Sequence, residues 1–293
     1  MLLLCAVWGV QQVLLKLIAP AITPLTMIAL RSGVAAGLVW LVMRLRGERI
    51  DLASGLWRPG LLAGLLFALE YLFLAEGLRH TQASHATVLL YTAPMFAALG
   101  LHWRLPGERL SAVQWLGVVI AFAGVAITFL GRGTVPAAGL SGASLWGDFL
   151  ALLGGAAWGA TTVVVRCTRL QAAPASETLL YQLVVGCLVL TGSALAAGQL
   201  SFEPTPAVLA HLAFQSIVVS FASFLTWFWL LRRYLASRLG VLSFATPLMG
   251  VGFAIWLLHE PLERSFIAGS ATVIAGLWLV SGRASWRAAG ARA

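Results

Sequence analysis

Arg31 and Glu70 each stand inside a long apolar run. If those runs cross a membrane, a charge near the bilayer centre costs roughly 2.5–3.5 kcal/mol on insertion scales, so each needs a partner or a task. Read as helices, the first run enters near residue 24 and the second leaves near residue 78 at the same face. At 1.5 Å per residue both side chains then lie roughly 10–12 Å deep. A salt bridge between them is geometrically allowed. It reads either as a lock between two helices or as a buried charge pair that binds substrate or carries a proton. Glu76 lies nearer the interface, where water solvates it.

A second set of candidates falls at helical spacing. Ser84, His85, Val88, Tyr91, Thr92 and Met95 share one side of a run, and Pro94 removes a backbone donor in its middle. Interrupted helices free carbonyls that only protein or a water-filled cavity can satisfy, so this face is expected to line a cavity. Ser243, Thr246 and Pro247 present the same pattern later in the chain. Trp8, Gln12 and Leu15 form a stripe near the start, and Trp158, Thr161 and Thr162 stand at equivalent depth. Gln12 is costly in lipid and should point inward. Each has a plainer reading beside the functional one: His85 as a packed histidine, Gln12 as an interhelical hydrogen bond, Pro94 and Pro247 as static kinks without a gating part. Tyr71, Phe224, Trp227 and Trp229 add aromatic surface, some of it facing lipid because adjacent helical residues diverge by about 100°. An aromatic-lined cavity favours apolar or aromatic groups on the substrate.

Other chemistries fit poorly. Cys5, Cys167 and Cys187 are odd in number, fall in apolar runs and lack a CxxC or His-rich partner, so neither a metal site nor a disulfide framework is expected, and no cofactor is implied. Gly139-Leu140-Ser141-Gly142 has the form of an intramembrane serine hydrolase motif, but it sits in a linker where no buried nucleophile is expected. A channel is the other class; neither a filter-like carbonyl loop nor a ring of pore charges is evident. The chain reads as a non-enzyme.

The elements that must hold these residues follow from composition. The 293 residues are 60% hydrophobic and 10% charged, against roughly 25% charged in soluble domains. Apolar runs long enough for a hydrocarbon core of about 30 Å recur throughout. They place helices near 2–19, 24–43, 58–78, 82–103, 112–130, 145–167, 177–198, 207–230, 238–258 and 265–283. The expected fold is an all-α integral membrane protein of ten transmembrane helices. Assigning loops alternately to two sides puts Arg44, Arg46, Arg49, Arg58, Arg104, Arg109, Arg166, Arg169, Arg232, Arg233, Arg238, Arg283, Arg287 and Arg292 on one face, against Lys16, Arg79, Arg132 and Arg264 on the other. The positive-inside rule then sets both termini in the cytoplasm. The net charge of +9 is a topology signal, with membrane lipid rather than nucleic acid as the partner. Trp40, Trp57, Trp103, Trp146 and Trp256 fall near helix ends, as an aromatic belt does. The first run lacks a basic leader and a cleavage site and reads as a retained helix. Ala, Gly and Arg dominate and Lys16 is the sole lysine, a bias resembling that of a GC-rich bacterial genome, so the expected site is a bacterial inner membrane.

The chain also repeats itself. Trp8-Gly9 recurs as Trp158-Gly159. Ala83-Ser84 with Pro94 recurs as Ala236-Ser237 with Pro247, and Glu108, Gly117 and Gly124 recur as Glu260, Gly269 and Gly276. The near-constant offset makes chance a poor explanation. It divides the chain into a first five-helix repeat over 1–131, a linker over 132–144 and a second repeat over 145–293. An odd number of helices separates equivalent positions, so the repeats face opposite ways, a plan recurrent in secondary transporters with a midplane site. Gly33-x-x-x-Gly37, Gly60-x-x-x-Gly64 and Gly155-x-x-x-Gly159 permit close helix packing, and intramolecular packing is the default over dimerisation; monomer or homodimer stays open.

Trp8-Gly9, Arg31, Leu89-Leu90-Tyr91-Thr92-Ala93-Pro94, and Gly107-Glu108-Arg109-Leu110 followed by Gly117 and Gly124 resemble the EamA-type, ten-helix branch of the drug/metabolite transporter superfamily. The resemblance spans essentially the whole chain. It implies an exporter of amino acids or other small metabolites, with helices 1–4 and 6–9 around a central cavity and helices 5 and 10 outside. In length and aromatic content the chain is similar to aromatic amino acid exporters of the YddG kind. The first helix lacks the carboxylate that small four-helix multidrug members use for proton coupling, so that mechanism is not carried over.

Overall fold

Thr23-Pro24 and Thr205-Pro206 show how local chemistry starts the helices. Each threonine Oγ accepts the backbone N–H three residues on, and each proline occupies the first turn, where its missing N–H costs nothing. In the computed structural model, which describes residues 1–48, 55–130, 142–233 and 245–290, the helices are α1 (Leu2–Leu17), α2 (Pro24–Leu45), α3 (Trp57–His80), α4 (Ala83–Leu90), α5 (Ala93–Arg104), α6 (Ala112–Leu130), α7 (Gly142–Cys167), α8 (Ala175–Ala196), α9 (Pro206–Ala213), α10 (Phe224–Arg233), α11 (Ala245–Leu258) and α12 (Arg264–Gly290). A π-helical stretch, Phe214–Ser223, joins α9 to α10. Among the described residues the fold is helical, with one isolated antiparallel bridge between Ile22 and Phe202.

Six helical spans are long and apolar enough to cross a membrane: Pro24–Leu45, Trp57–His80, Ala83–Arg104, Ala143–Cys167, Ala175–Ala196 and Pro206–Trp227. Leu2–Leu17, Ala112–Thr128, Ala245–Leu258 and Arg264–Val280 are shorter apolar helices. The surface is turned inside out relative to a soluble protein. Leu3, Leu45, Leu116, Leu188 and Leu195 are exposed, as are Trp40, Trp57, Trp103, Trp146 and Trp256. Gln12, Arg31, Glu70, His85, Asp148 and Glu260 are buried. Only a hydrocarbon solvent makes that distribution favourable, so the protein is a multi-pass membrane protein.

Two departures from the expected helices shape the interior. The fourth run is not one kinked helix but two, α4 and α5, broken at Tyr91-Thr92. Pro94 stands in the first turn of α5, where it starts a helix instead of distorting one. The eighth run carries the π-helical stretch, which periodicity at 3.6 residues does not foresee. The last helix also runs on to Gly290.

Packing depends on glycines at which backbones touch. α1 packs on α11, and α7 packs on α5. A Cβ on Gly9 would lie 2.8 Å from Gly250 N, 3.1 Å from Thr246 O and 3.2 Å from Met249 Cβ. One on Gly159 would lie 2.9 Å from Ala97 N, 2.8 Å from Ala93 O and 2.7 Å from Phe96 Cβ. The two environments match atom for atom, since Pro247 follows Thr246 as Pro94 follows Ala93. α6 packs chiefly on α12, where Gly117 meets Gly276 and Gly124 meets Gly269. The order of those pairs makes the two helices antiparallel. Of the three small-residue motifs, Gly60 and Gly64 press on Tyr181 and Val185 of α8, and Gly155 and Gly159 press on α4 and α5. Gly37 has open space beside it.

Candidate functional site

Arg31 is almost wholly buried, and its surroundings are polar and specific. Its Nη1 donates to Gln11 Oε1 at 3.1 Å and to Gln215 Oε1 at 2.6 Å. Its guanidinium carbon lies 4.6 Å from the centre of the Tyr71 ring, a cation–π contact. Gln215 Nε2 in turn donates to the Gln11 carbonyl at 3.1 Å. Three helices are thereby tied together: α1, α2 and the π-helical stretch. Glu70 is buried beside Tyr71 on α3, yet it forms no ion pair with Arg31. In place of the salt bridge that the sequence allows, glutamine carbonyls hold the guanidinium without neutralising its charge. Arg31 Nε, both amide atoms of Gln12 and Ser216 Oγ are buried without a hydrogen-bond partner among the described residues. Buried polar atoms of this kind call for a ligand or water.

Next to this charged layer is an aromatic cluster. Trp8 packs edge-on against Trp227 at 5.5 Å and tilted against Phe224 at 6.4 Å. Tyr91 packs edge-on against Trp158 at 5.2 Å. Leu4, Trp8 and Tyr91 form one buried cluster with Trp158 and Trp227 against it. Trp158 packs both against this cluster and against the larger core cluster that contains Tyr71, which joins the aromatic and charged layers. Of the sequence candidates, Trp8, Tyr91, Trp158 and Trp227 are thus gathered at one place as packed rings, while Tyr71 stands under Arg31 and Thr246 is buried with its hydroxyl unpartnered among the described residues. The Trp8 indole N–H donates to Ser223 Oγ at 2.8 Å, and that hydroxyl donates to the Val219 carbonyl. Ser223→Ala is expected to cost about 1 kcal/mol of stability by leaving the indole N–H unpaired. A double-mutant cycle with Trp8→Phe, read from unfolding of the purified protein, should recover most of that as coupling.

Other candidates are placed differently. Val88 and Thr92 are buried on α4 and at its end, and Thr92 Oγ1 donates to the Leu89 carbonyl at 2.6 Å. Thr161 and Thr162 spend their hydroxyls on carbonyls one turn back on α7. Gln12 is fully buried, as expected, but its neighbour Gln11 serves Arg31. Ser243, Ala236, Ser237, Ser141 and the side chain of Trp229 lie outside the described residues.

His85 does not join the aromatic cluster. Its Nδ1 lies 3.2 Å from Asp148 Oδ2, and its ring stacks on Phe266 with centroids 4.1 Å apart. Thr81 Oγ1 donates to Asp148 Oδ1, and Lys16 Nζ donates to the Thr81 carbonyl. Lys16 is 3.8 Å from Glu260, whose carboxylate caps α4 by accepting from Ala83 N at 2.7 Å, Ser84 N at 3.0 Å and Ser84 Oγ at 2.7 Å. At the opposite end of the bundle Arg166 pairs with Glu108. The first pair is 30% and 7% exposed and the second 48% and 33%, so the Lys16 pair is the more deeply buried. At the Arg166 end a recess of about 920 Å³ opens between Trp57, Arg58, Cys167 and Thr168, away from the aromatic cluster.

Reasoning from sequence missed Gln11, Asp148, Gln215, Ser216 and Ser223. The signal was available for the last three, because a Gln and several Ser in an apolar run are as costly in lipid as Gln12.

Known proteins agree with this architecture. The EamA-like transporter family matches residues 1–130 and 145–282. The chain is 22% identical over 275 residues to the uncharacterized transporter YoaV of Bacillus subtilis, covering 93% of this chain and 92% of that one. It is 27% identical over 281 residues to the uncharacterized transporter YvbV of the same organism, covering 95% and 89%. A protein crystal structure superposes with a TM-score of 0.65 at 20% identity, over 97% of this chain and 96% of that one, which establishes the fold. A match on both sides of the central linker, on a bundle with a polar interior, leaves one conclusion: the chain belongs to the EamA-like transporter family and is a membrane transporter of small molecules.

Proposed function

We propose that the protein exports amino acids, preferentially aromatic or bulky apolar ones, across a bacterial inner membrane by alternating access around the Arg31 and aromatic layers. The observation that carries this reading is the unspent charge pair. Arg31 is held by neutral carbonyls and Glu70 has no ion-pair partner among the described residues, so a fixed positive charge and a buried carboxyl group stand close to a nest of rings. A zwitterion with an aromatic side chain has the matching three groups: carboxylate for Arg31, ammonium for Glu70 and a ring for Trp8, Tyr91, Trp158 and Trp227.

Alternating access is supported by swapped contacts. With ten spans in two five-helix repeats, 1–131 and 145–293, Gly9 and Gly159 are equivalent, and each meets the other repeat's proline helix through the same three atom types. Gly117 and Gly124 meet Gly276 and Gly269 on an antiparallel helix, the reciprocal pattern of a two-fold axis in the membrane plane. Lys16 with Glu260 and Arg166 with Glu108 are equivalent pairs at opposite ends, suited to hold one end shut at a time. Arginine bias sets the Arg166 end and both termini in the cytoplasm.

The test is counterflow into proteoliposomes with labelled amino acids, nucleosides and amphipathic drugs, with and without a pH gradient. Saturable exchange of phenylalanine, tryptophan or leucine is expected. If no amino acid exchanges, the substrate reading fails; ohmic ion currents would overturn the carrier itself.

A further inference from the structure

Arg31 has one edge that is occupied and one that is not. Nη1 carries two N–H groups and has two carbonyl partners, Gln11 Oε1 at 3.1 Å and Gln215 Oε1 at 2.6 Å. Nε–H, on the opposite edge, is buried and without a partner among the described residues. Nε and one N–H of Nη2 form the parallel fork onto which a carboxylate fits with both oxygens. The Tyr71 ring lies over the flat face of the group, 4.6 Å from its carbon.

Both partners on Nη1 are neutral, and that is a choice of charge rather than of packing, since glutamine and glutamate have the same length and shape. A carboxylate at either position would accept the same hydrogen bond and cancel the guanidinium charge, whereas an amide carbonyl accepts it and leaves the charge in place. Gln215 is held to this task at its other end, where Nε2 donates to the Gln11 carbonyl at 3.1 Å. Glu70, beside Tyr71 on α3, is a buried carboxyl group outside this hydrogen-bond set. Turning one glutamine into glutamate therefore makes the layer more negative by one unit, with or without a proton on Glu70.

We propose that Gln215, together with Gln11, sets the charge selectivity of the site. The two amides orient Arg31 by one nitrogen and keep its positive charge and its Nε edge for the carboxylate of the substrate. Gln215 acts through Arg31 and is a positioning residue. The inference rests on the amino acid reading above and adds to it the feature that separates an amino acid from an amine of the same shape. A site in which a protein carboxylate held Arg31 would take the amine instead.

The experiment measures dissociation constants of labelled phenylalanine and of labelled phenylalaninol, which keeps the ring and the ammonium but has no carboxylate. The purified full chain is held in lipid discs at neutral pH for equilibrium dialysis, and empty discs correct for partition into lipid. Each charge-assisted hydrogen bond is worth about one to two powers of ten in a dissociation constant, so wild-type protein should prefer phenylalanine by at least about tenfold. Gln215→Glu should abolish that preference or reverse it. Gln215→Leu leaves the charge of Arg31 unspent and should keep the preference; a merely structural glutamine would suffer more from leucine than from glutamate. Gln11→Glu makes the same charge change if Gln215→Glu does not fold. Wild-type preference retained in Gln215→Glu overturns the inference, as does a preference lost equally in Gln215→Leu. Wild-type protein that binds phenylalanine no more tightly than phenylalaninol also overturns it. Failure to bind phenylalanine at all would instead overturn the substrate reading on which it rests.

Discussion

Arg31→Ala is expected to lower counterflow by more than about a hundredfold. The guanidinium donates two charge-assisted hydrogen bonds from one nitrogen to Gln11 and Gln215 and lies over Tyr71. Each such bond is worth about 1.5–3 kcal/mol, and about 1.36 kcal/mol is a factor of ten in rate. Removing the cation also leaves the Gln11 and Gln215 carbonyls buried without their donor. Part of the loss will therefore appear as instability, and Arg31→Lys separates the two effects. An ammonium restores the charge for Glu70 but cannot present a planar face to Tyr71 while reaching both glutamines. Arg31→Lys should recover most of the folded yield while transporting at less than about a tenth of the wild-type rate. Glu70→Gln should fold well and lose zwitterions before neutral apolar solutes. Wild-type counterflow in a folded Arg31→Ala would reduce Arg31 to a helix lock and remove the basis for the substrate reading.

The same residues show what the sequence could and could not say. The apolar runs, the break near Pro94, the aromatic identities and the burial of Arg31 and Glu70 follow from composition and period, because lipid penalises each departure sharply. Partners do not follow. Gln11 and Gln12 differ by about 100° around α1, and grouping Gln12 with Trp8 and Leu15 could not show that Gln11 reaches Arg31. The π-helical stretch adds about one residue per turn, so the Gln215, Ser216, Ser220 and Ser223 face is invisible to a 3.6-residue template. The helical stripe on α4 points to the cavity for His85, whereas its partners, Asp148 and Phe266, come from the second half of the chain. The spacing of the sequence motifs aligns Lys16 with Arg166 and Glu108 with Glu260; that Lys16 meets Glu260 and Arg166 meets Glu108 is a fact of three dimensions.

Gly276→Ala and Gly124→Ala should each destabilise the protein by about 3 kcal/mol, the upper range for an overpacked site. A Cβ on Gly276 would sit 2.4 Å from Ala121 N and 2.6 Å from Gly117 O; one on Gly124 would sit 2.5 Å from Val273 N and 2.7 Å from Gly269 O. These neighbours are backbone, so no rotamer relieves the contact and α6 must move away from α12 along its length. Once one methyl has parted the helices the second meets less resistance, and the double variant should cost clearly less than the sum of the singles. Gly37→Ala and Gly192→Ala are the controls: nothing lies within 4 Å of either Cβ. Exchanging a helical glycine for alanine there should stabilise by up to about 1 kcal/mol. Unfolding midpoints of the purified variants give the comparison. Because α6 and α12 pack mainly on each other, away from Arg31 and the rings, surviving Gly124→Ala molecules should keep their turnover per folded molecule. A Gly124→Ala protein as stable as Gly37→Ala would mean that the glycine crossing does not hold these two helices together.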